Sequence, residues 1–492
     1  MRREGTGTGG SGTSPAAATR MDATIMGDDV TTRRNGRGWP AAIAAGAVMG
    51  VGLGALLLAA PALAQEAAAT APAADPKIDT GDTAWMLAST ALVLLMTVPG
   101  LALFYAGMVR KKNVLATMMQ SFAITAIVTV VWYVAGYSLA FGEGGAYVGD
   151  LSKVLLRGVA ENWDKPFTLG SGDGAVATTI PETVFLMYQM TFAIITPALI
   201  AGAFADRMKF SALVLFTILW SLLVYSPIAH WVWHPNGWIF GLGALDFAGG
   251  TVVHINAGVA GLVCAVVLGR RVGYGHDNMS PFNLGFAVIG AALLWVGWFG
   301  FNAGSATGAG GRAGMAMLVT QVATGGATLA WLFAEWVTKG KPSVLGAISG
   351  AVAGLVAITP AAGFVLPGPA LLIGVVAGLS GFWGATALKH WCGYDDSLDA
   401  FGVHGICGIV GAILTGWFAY GPLSATPTNA EGSVGSVQQL ITQCTAVGAV
   451  FVFTAVATFI LLKVVDVIVG LRVTEEEERE GLDVSLHGER LG

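Results

Sequence analysis

Two histidines carry the chemistry that this sequence offers. His254 stands in Val253-His254-x-x-x-Gly258-x-x-Gly261, and His404 stands in Val403-His404-x-x-x-Gly408-x-x-Gly411. Both lie inside apolar runs, where an ionisable side chain is costly and, when present, faces a pore or cavity. A single buried histidine needs no more explanation than an interhelical hydrogen bond; two in matching motifs point to a shared task. Imidazole can hold a small polar molecule or pass on a proton. Asp246 precedes His254 by eight residues, and Asp399 precedes His404 by five. At about 1.5 Å per residue, the imidazoles then sit roughly 12 and 8 Å inside their helices. Each aspartate stands just ahead of an apolar helix, where Asp is a favoured N-cap. Both are expected to cap rather than to touch substrate.

Metal chemistry is poorly served. The two histidines have no carboxylate or third histidine close by, so a zinc or iron site would be incomplete. His230 and His234, at i and i+4, offer a weak metal pair, but with Trp231, Trp233 and Trp238 around them they read better as an aromatic belt at a membrane interface. The four cysteines, Cys264, Cys392, Cys407 and Cys444, form no CxxC pair and read as apolar fillers. No cofactor is expected. An intramembrane enzyme built on the histidines would lack a nucleophile and a full ligand set.

The elements that must hold these residues follow from composition. The 492 residues are 54% hydrophobic and only 11% charged, against about 25% charged in soluble domains. Mean hydropathy is +0.69. Net charge is only −5, which gives no basic surface for nucleic acid. Glycine, 70 residues of 492, is at twice its usual share of about 7%, as suits helices packed through small residues. The fold class is therefore an all-α polytopic membrane protein in contact with lipid. Apolar spans fall near 84–109, 116–141, 181–205, 210–233, 247–269, 283–304, 312–338, 343–360, 366–389, 401–420 and 440–470, eleven in all. Each is long enough to cross a hydrocarbon core of about 30 Å. β-Barrel alternation is absent, so a helical bundle is expected.

Five regions are expected along the chain. Residues 1–38 are a low-complexity extension. Residues 39–64 have the form of a signal peptide, with Arg33, Arg34 and Arg37 ahead of an apolar run that ends in Ala62-Leu63-Ala64; an extra transmembrane helix is the rival reading. Cleavage there would start the mature chain near Gln65 and place it outside the cytoplasm. Residues 65–82 form an extracytoplasmic segment, 83–470 the transmembrane domain, and 471–492 a cytoplasmic tail. The positive-inside rule agrees: Arg110, Lys111, Lys112, Arg207, Lys209, Arg270, Arg271, Lys339, Lys341 and Lys389 fall in alternate, cytoplasmic connections. Arg312 is the exception among the short outer connections; the long one, 142–180, carries Lys153, Arg157 and Lys165.

The histidine motifs recur five spans apart. Phe104-Tyr105-Ala106-Gly107 near the end of span 1 is echoed by Phe301-Asn302-Ala303-Gly304 near the end of span 6. Five is odd, so the copies are two inverted five-helix repeats, with one extra helix bracing the outside. Such proteins hold their site near the midplane at the repeat interface.

These residues carry a resemblance. DFAGGTVVHINAGVAGLV (246–263), GWFGFNAGSA (297–306), FGVHGICGIVGAILTG (401–416), LFYAGMVRKKNVL (103–115) and the tail VGLRVTEEEEREGLDVSLHGE (469–489) resemble the ammonium transporter (Amt/Mep/Rh) family, bacterial Amt branch. The resemblance runs from about residue 80 to the end and implies an eleven-helix trimer with one pore per subunit in the bacterial inner membrane. It implies an outer substrate-binding site at Phe192, Trp233 and Ser305, a gate of Phe192 and Phe301, pore histidines His254 and His404, and a structural acid at Asp246. Tyr188 stands where members can have Phe. The function implied is ammonium capture, deprotonation and passage of ammonia, with a PII-type signal protein at the cytoplasmic face. An ammonium sensor signalling through such a protein is the alternative. Thr474 and Glu477 form a capping box for a short acidic helix in the tail, against the alternative of a solvated tail.

Overall fold

The computed structural model describes residues 77–425 and 431–491. The expected N-terminal extension, the signal peptide and residues 65–76 lie outside the described residues. Eleven apolar helices follow: α1 Thr80–Met108, α2 Lys111–Phe141, α3 Glu182–Phe204, α4 Phe210–Gly241, α5 Gly250–Leu268, α6 Leu284–Gly304, α7 Gly311–Lys339, the shorter α8 Val344–Ile358, α9 Pro367–Cys392, α10 Phe401–Phe418 and α11 Val437–Val469. Every one coincides with an expected span. A two-stranded antiparallel hairpin, β1 Pro166–Leu169 and β2 Val176–Pro181, covers one face of the bundle. The tail covers the other face as α12 Glu475–Glu480 and α13 Leu482–His487. The hairpin in loop 142–180 was not foreseen; a hairpin this short has too little alternation to read.

The inverted repeat is written in the packing. A methyl group on Gly258 of α5 would strike Gly405 and His404 of α10, and one on Gly408 of α10 would strike His254 and Ile255 of α5. The glycine four residues after each histidine thus lets the two helices cross in close contact beside the imidazoles. Likewise Gly107, ending α1, lies on Ala287 at the start of α6, while Gly304, ending α6, lies on Ser89 near the start of α1. Such reciprocal contacts are what a two-fold relation between α1–α5 and α6–α10 requires.

Burial orders the bundle. The most apolar stretch of α3 is 94% buried, whereas that of α11 is 28% buried. So α3 is a central post and α11 a brace on the outside, packed on α4, α5 and α10. Outward positions such as Leu87, Phe122, Leu223, Val266 and Val467 are exposed and apolar, as a lipid-facing surface demands.

The capping box forms: Thr474 Oγ1 accepts from Glu477 N, and Glu477 Oε2 accepts from Thr474 N. The tail is docked, not solvated. Asn113 Oδ1 accepts from Leu482 N at 2.8 Å, Asp483 Oδ1 accepts from Ala116 N at 2.8 Å, and Glu478 Oε1 accepts from Val272 N at 2.7 Å. Asp483 therefore serves as a cap for α2 supplied from the far end of the chain.

Candidate functional site

α5 and α10 each open with a π-helical stretch, Gly250–Ile255 and Phe401–Ile406. The wider turn is a common mark of a functional position, and here each carries a histidine. His254 and His404 are 1% and 3% exposed, with ring centroids 5.4 Å apart and planes 18° from parallel. Neither ring nitrogen of His254, nor Nδ1 of His404, has a hydrogen-bond partner among the described residues. The imidazoles thus meet ring to ring, with polar edges unspent on the protein.

Aromatic rings continue the line toward the hairpin face. Phe301 lies 5.9 Å from His254, and Phe192 lies 4.3 Å from Phe301. Trp233 meets Phe192 edge-on at 5.7 Å, and Tyr188 does so at 5.0 Å. The Tyr188 hydroxyl is within 3.2 Å of Ser305 Oγ and donates toward the carbonyls of Gly300 and Phe301. Ser305 Oγ donates to Phe301 O at 2.9 Å. Phe192, Trp233, Ser305, Phe301, His254 and His404 are thereby brought into one column. A phenylalanine at 188 would pack but could not bond Ser305.

The caps hold the column's two halves. Asp246 accepts from the backbone N–H groups of Gly249, Gly250, Thr251 and Val252 and from the Thr251 hydroxyl. Its own carbonyl accepts from Trp233 Nε1 at 3.0 Å, so one residue starts α5 and seats the tryptophan. The expectation for Asp399 is corrected. Its carboxylate pairs with Lys389 Nζ at 2.8 Å, and the capping acid is Asp396, which accepts from Ala400 N and Phe401 N at 3.1 and 2.7 Å. Asp396 stands eight residues before His404, the spacing that separates Asp246 from His254. That equality was visible in the sequence and identifies the true counterpart. Burial pushes the Asp396 carboxyl up to about 6, with Lys389 opposing.

Sequence reading also missed Trp298. It stacks on His254 at 5.4 Å and 20°, and its Nε1 donates to Thr359 Oγ1 at 2.9 Å. On the tail side, His404 opens onto a cavity of about 200 Å³ lined by Tyr105, Ser397 and Asp399 among others. His230 is committed elsewhere: its ring nitrogens meet the carbonyls of Ala140 and Gly145 at 3.0 and 2.7 Å, and it stacks on His234. Among the described residues no cluster of three or more potential metal ligands occurs. Cys264 and Cys407 are buried fillers; Cys392 and Cys444 are exposed.

The Ammonium Transporter Family model matches residues 84–491. The chain is 50% identical over 411 residues to an ammonium transporter of Bacillus subtilis, covering 83% of this chain and 98% of the relative. It is 49% identical over 421 residues to an ammonium transporter of Aquifex aeolicus, covering 85% and 95%. Among solved structures, Saccharomyces cerevisiae Mep2 aligns with a TM-score of 0.73 at 35% identity, over 82% of this chain and 89% of Mep2. A structure titled Sensor Amt Protein aligns with a TM-score of 0.74 at 26% identity, over 83% and 98%.

Proposed function

The chain belongs to the ammonium transporter family, and from that premise we propose how its ring column moves the substrate. Ammonium is captured beside Trp233, Phe192 and Ser305 and loses its proton at the Phe192–Phe301 gate. Ammonia then crosses past His254 and His404 to the tail-side cavity, while the released proton is relayed along the imidazoles, so one charge moves with each molecule. The observation that carries this reading is the pair of buried, facing imidazoles at the end of an aromatic column.

Magnitudes favour the neutral species. Moving a bare ammonium-sized ion into low dielectric costs of order 20 kcal/mol in the idealised limit. Cation–π contacts return about 0.5–2 kcal/mol each, so the ring column can attract the ion but cannot carry it through. Deprotonation some 2–3 pH units below the pKa costs only about 3–4 kcal/mol. Potassium has no proton to lose and is refused by the same physics. The histidine edges replace part of the water that ammonia leaves behind.

In this reading the hairpin face is outside and the tail face is cytoplasmic, in the bacterial inner membrane. Three copies assemble into a trimer, and the docked tail is the platform for a PII-type signal protein. Residues 39–64 serve as the signal peptide. The likeness to the structure titled Sensor Amt Protein favours a second reading, in which ammonium occupancy is signalled through that partner; growth rescue of a strain deficient in ammonium uptake separates transport from sensing alone. The pore mechanism is tested with the His254→Ala/His404→Ala variant in liposomes. Loss of ammonium-driven current together with altered ammonia flux is expected; wild-type values for both, in a folded protein, overturn it.

A further inference from the structure

Arg312, the basic residue that broke the charge pattern, lies beside this site without an acidic partner. It is the second residue of α7. Its guanidinium carbon is 5.2 Å from the Phe247 ring centroid and 5.1 Å from that of Phe364, two rings that themselves meet edge-on at 5.4 Å. Its Nε donates to Gly363 O at 3.2 Å. Among the described residues no ion pair involves it.

What the guanidinium clamps is a strut between the vestibule and the histidines. Phe247 follows Asp246, the residue that starts α5 and accepts from Trp233. Phe247 N donates to Pro360 O at 3.1 Å, and its ring fills the space where Gly363 has no side chain. One residue before Pro360, Thr359 accepts from Trp298, which stacks on His254. At the other end, Phe364 O accepts from Tyr420 N just beyond α10. The segment 359–364 therefore touches the Trp233 seat through Phe247 and the His254 stack through Trp298. The arginine holds both ring faces and a carbonyl of that segment at once.

We propose that Arg312 is a positioning residue for ammonium capture: by clamping Phe247 to the 359–364 segment it sets the attitude of Trp233 and, more weakly, of Trp298. This rests on the transport reading above. A guanidinium is suited to the task because it stacks on rings while donating in its own plane, whereas an ammonium keeps the charge but not the fork. An electrostatic action of this charge on incoming cations would have the opposite sign: removing it would improve capture, and the improvement would fade with added salt.

The test is ammonium-driven current on solid-supported membranes with Arg312→Ala, Arg312→Met and Arg312→Lys, each checked for monodispersity, at low and high sodium chloride. The expected result is an apparent KM raised about tenfold in Arg312→Ala and Arg312→Met, with maximal current changed less than twofold and no dependence on salt. Arg312→Lys should recover part of the loss. Should Arg312→Ala fail to fold, Phe364→Leu removes one face of the clamp and should raise KM about threefold. Unchanged or lowered KM in the folded variants overturns the proposal while leaving the transport reading intact. Absence of ammonium current in the wild type overturns the transport reading itself.

Discussion

Asp246 and Asp396 stand at the same distance before their histidines, yet the first accepts four backbone N–H groups and a hydroxyl while the second accepts two N–H groups. The contrast runs through both halves of the repeat. His254 is flanked by Trp298 and Phe301; His404 borders a cavity of about 200 Å³ that also takes in Asp399 and Ser397. One half is built tight and aromatic. The other is open and polar at its edge. A duplicated scaffold has kept its crossing point and its spacing and has specialised its two ends.

The largest effect should come from the caps. Asp246→Ala leaves several buried N–H groups without an acceptor at about 1–3 kcal/mol each, whereas Asp396→Ala loses a smaller cap of about 0.5–2 kcal/mol. Thermal unfolding in detergent should therefore rank Asp246→Ala well below Asp396→Ala; the reverse order would break the comparison. Next, Trp233→Leu on the aromatic side should weaken apparent ammonium affinity about 2- to 30-fold through the loss of a cation–π contact. Steady-state current against ammonium concentration checks it, and an unchanged midpoint would remove the aromatic capture site.

The smallest effect concerns the tail. Burial raises the Asp483 carboxyl above the ordinary aspartate range. A raised value in the docked state means that docking binds a proton, so docking is weakest above that raised value and strengthens as pH falls through it toward the ordinary aspartate range. Asp483→Asn should flatten this dependence, read as the rate of protease cleavage of the tail as pH is lowered from neutral toward the ordinary aspartate pKa of about 4. A profile identical to wild type would show that Asp483 does not titrate with docking.

Much of this was legible beforehand, for identifiable reasons. Eleven spans could be read because hydrocarbon demands long apolar runs, and the repeat could be read because close crossings demand glycine at Gly258 and Gly408. The twin histidines stood out because ionisable groups are rare in such runs. Asp399 was mistaken for a cap because it is nearer to α10 in sequence; its φ of 58° turns the chain there, and its side chain goes to Lys389 instead. Trp298, Thr359 and the Arg312 clamp depend on contacts between helices far apart in sequence, which no local pattern records.

The central claim is that a nitrogen base, not a cation, crosses between the imidazoles. It is tested most directly by currents from the purified wild-type protein on solid-supported membranes, with ammonium and potassium jumps of equal size. The account predicts a response to ammonium and none to potassium; a potassium current of comparable size would contradict it.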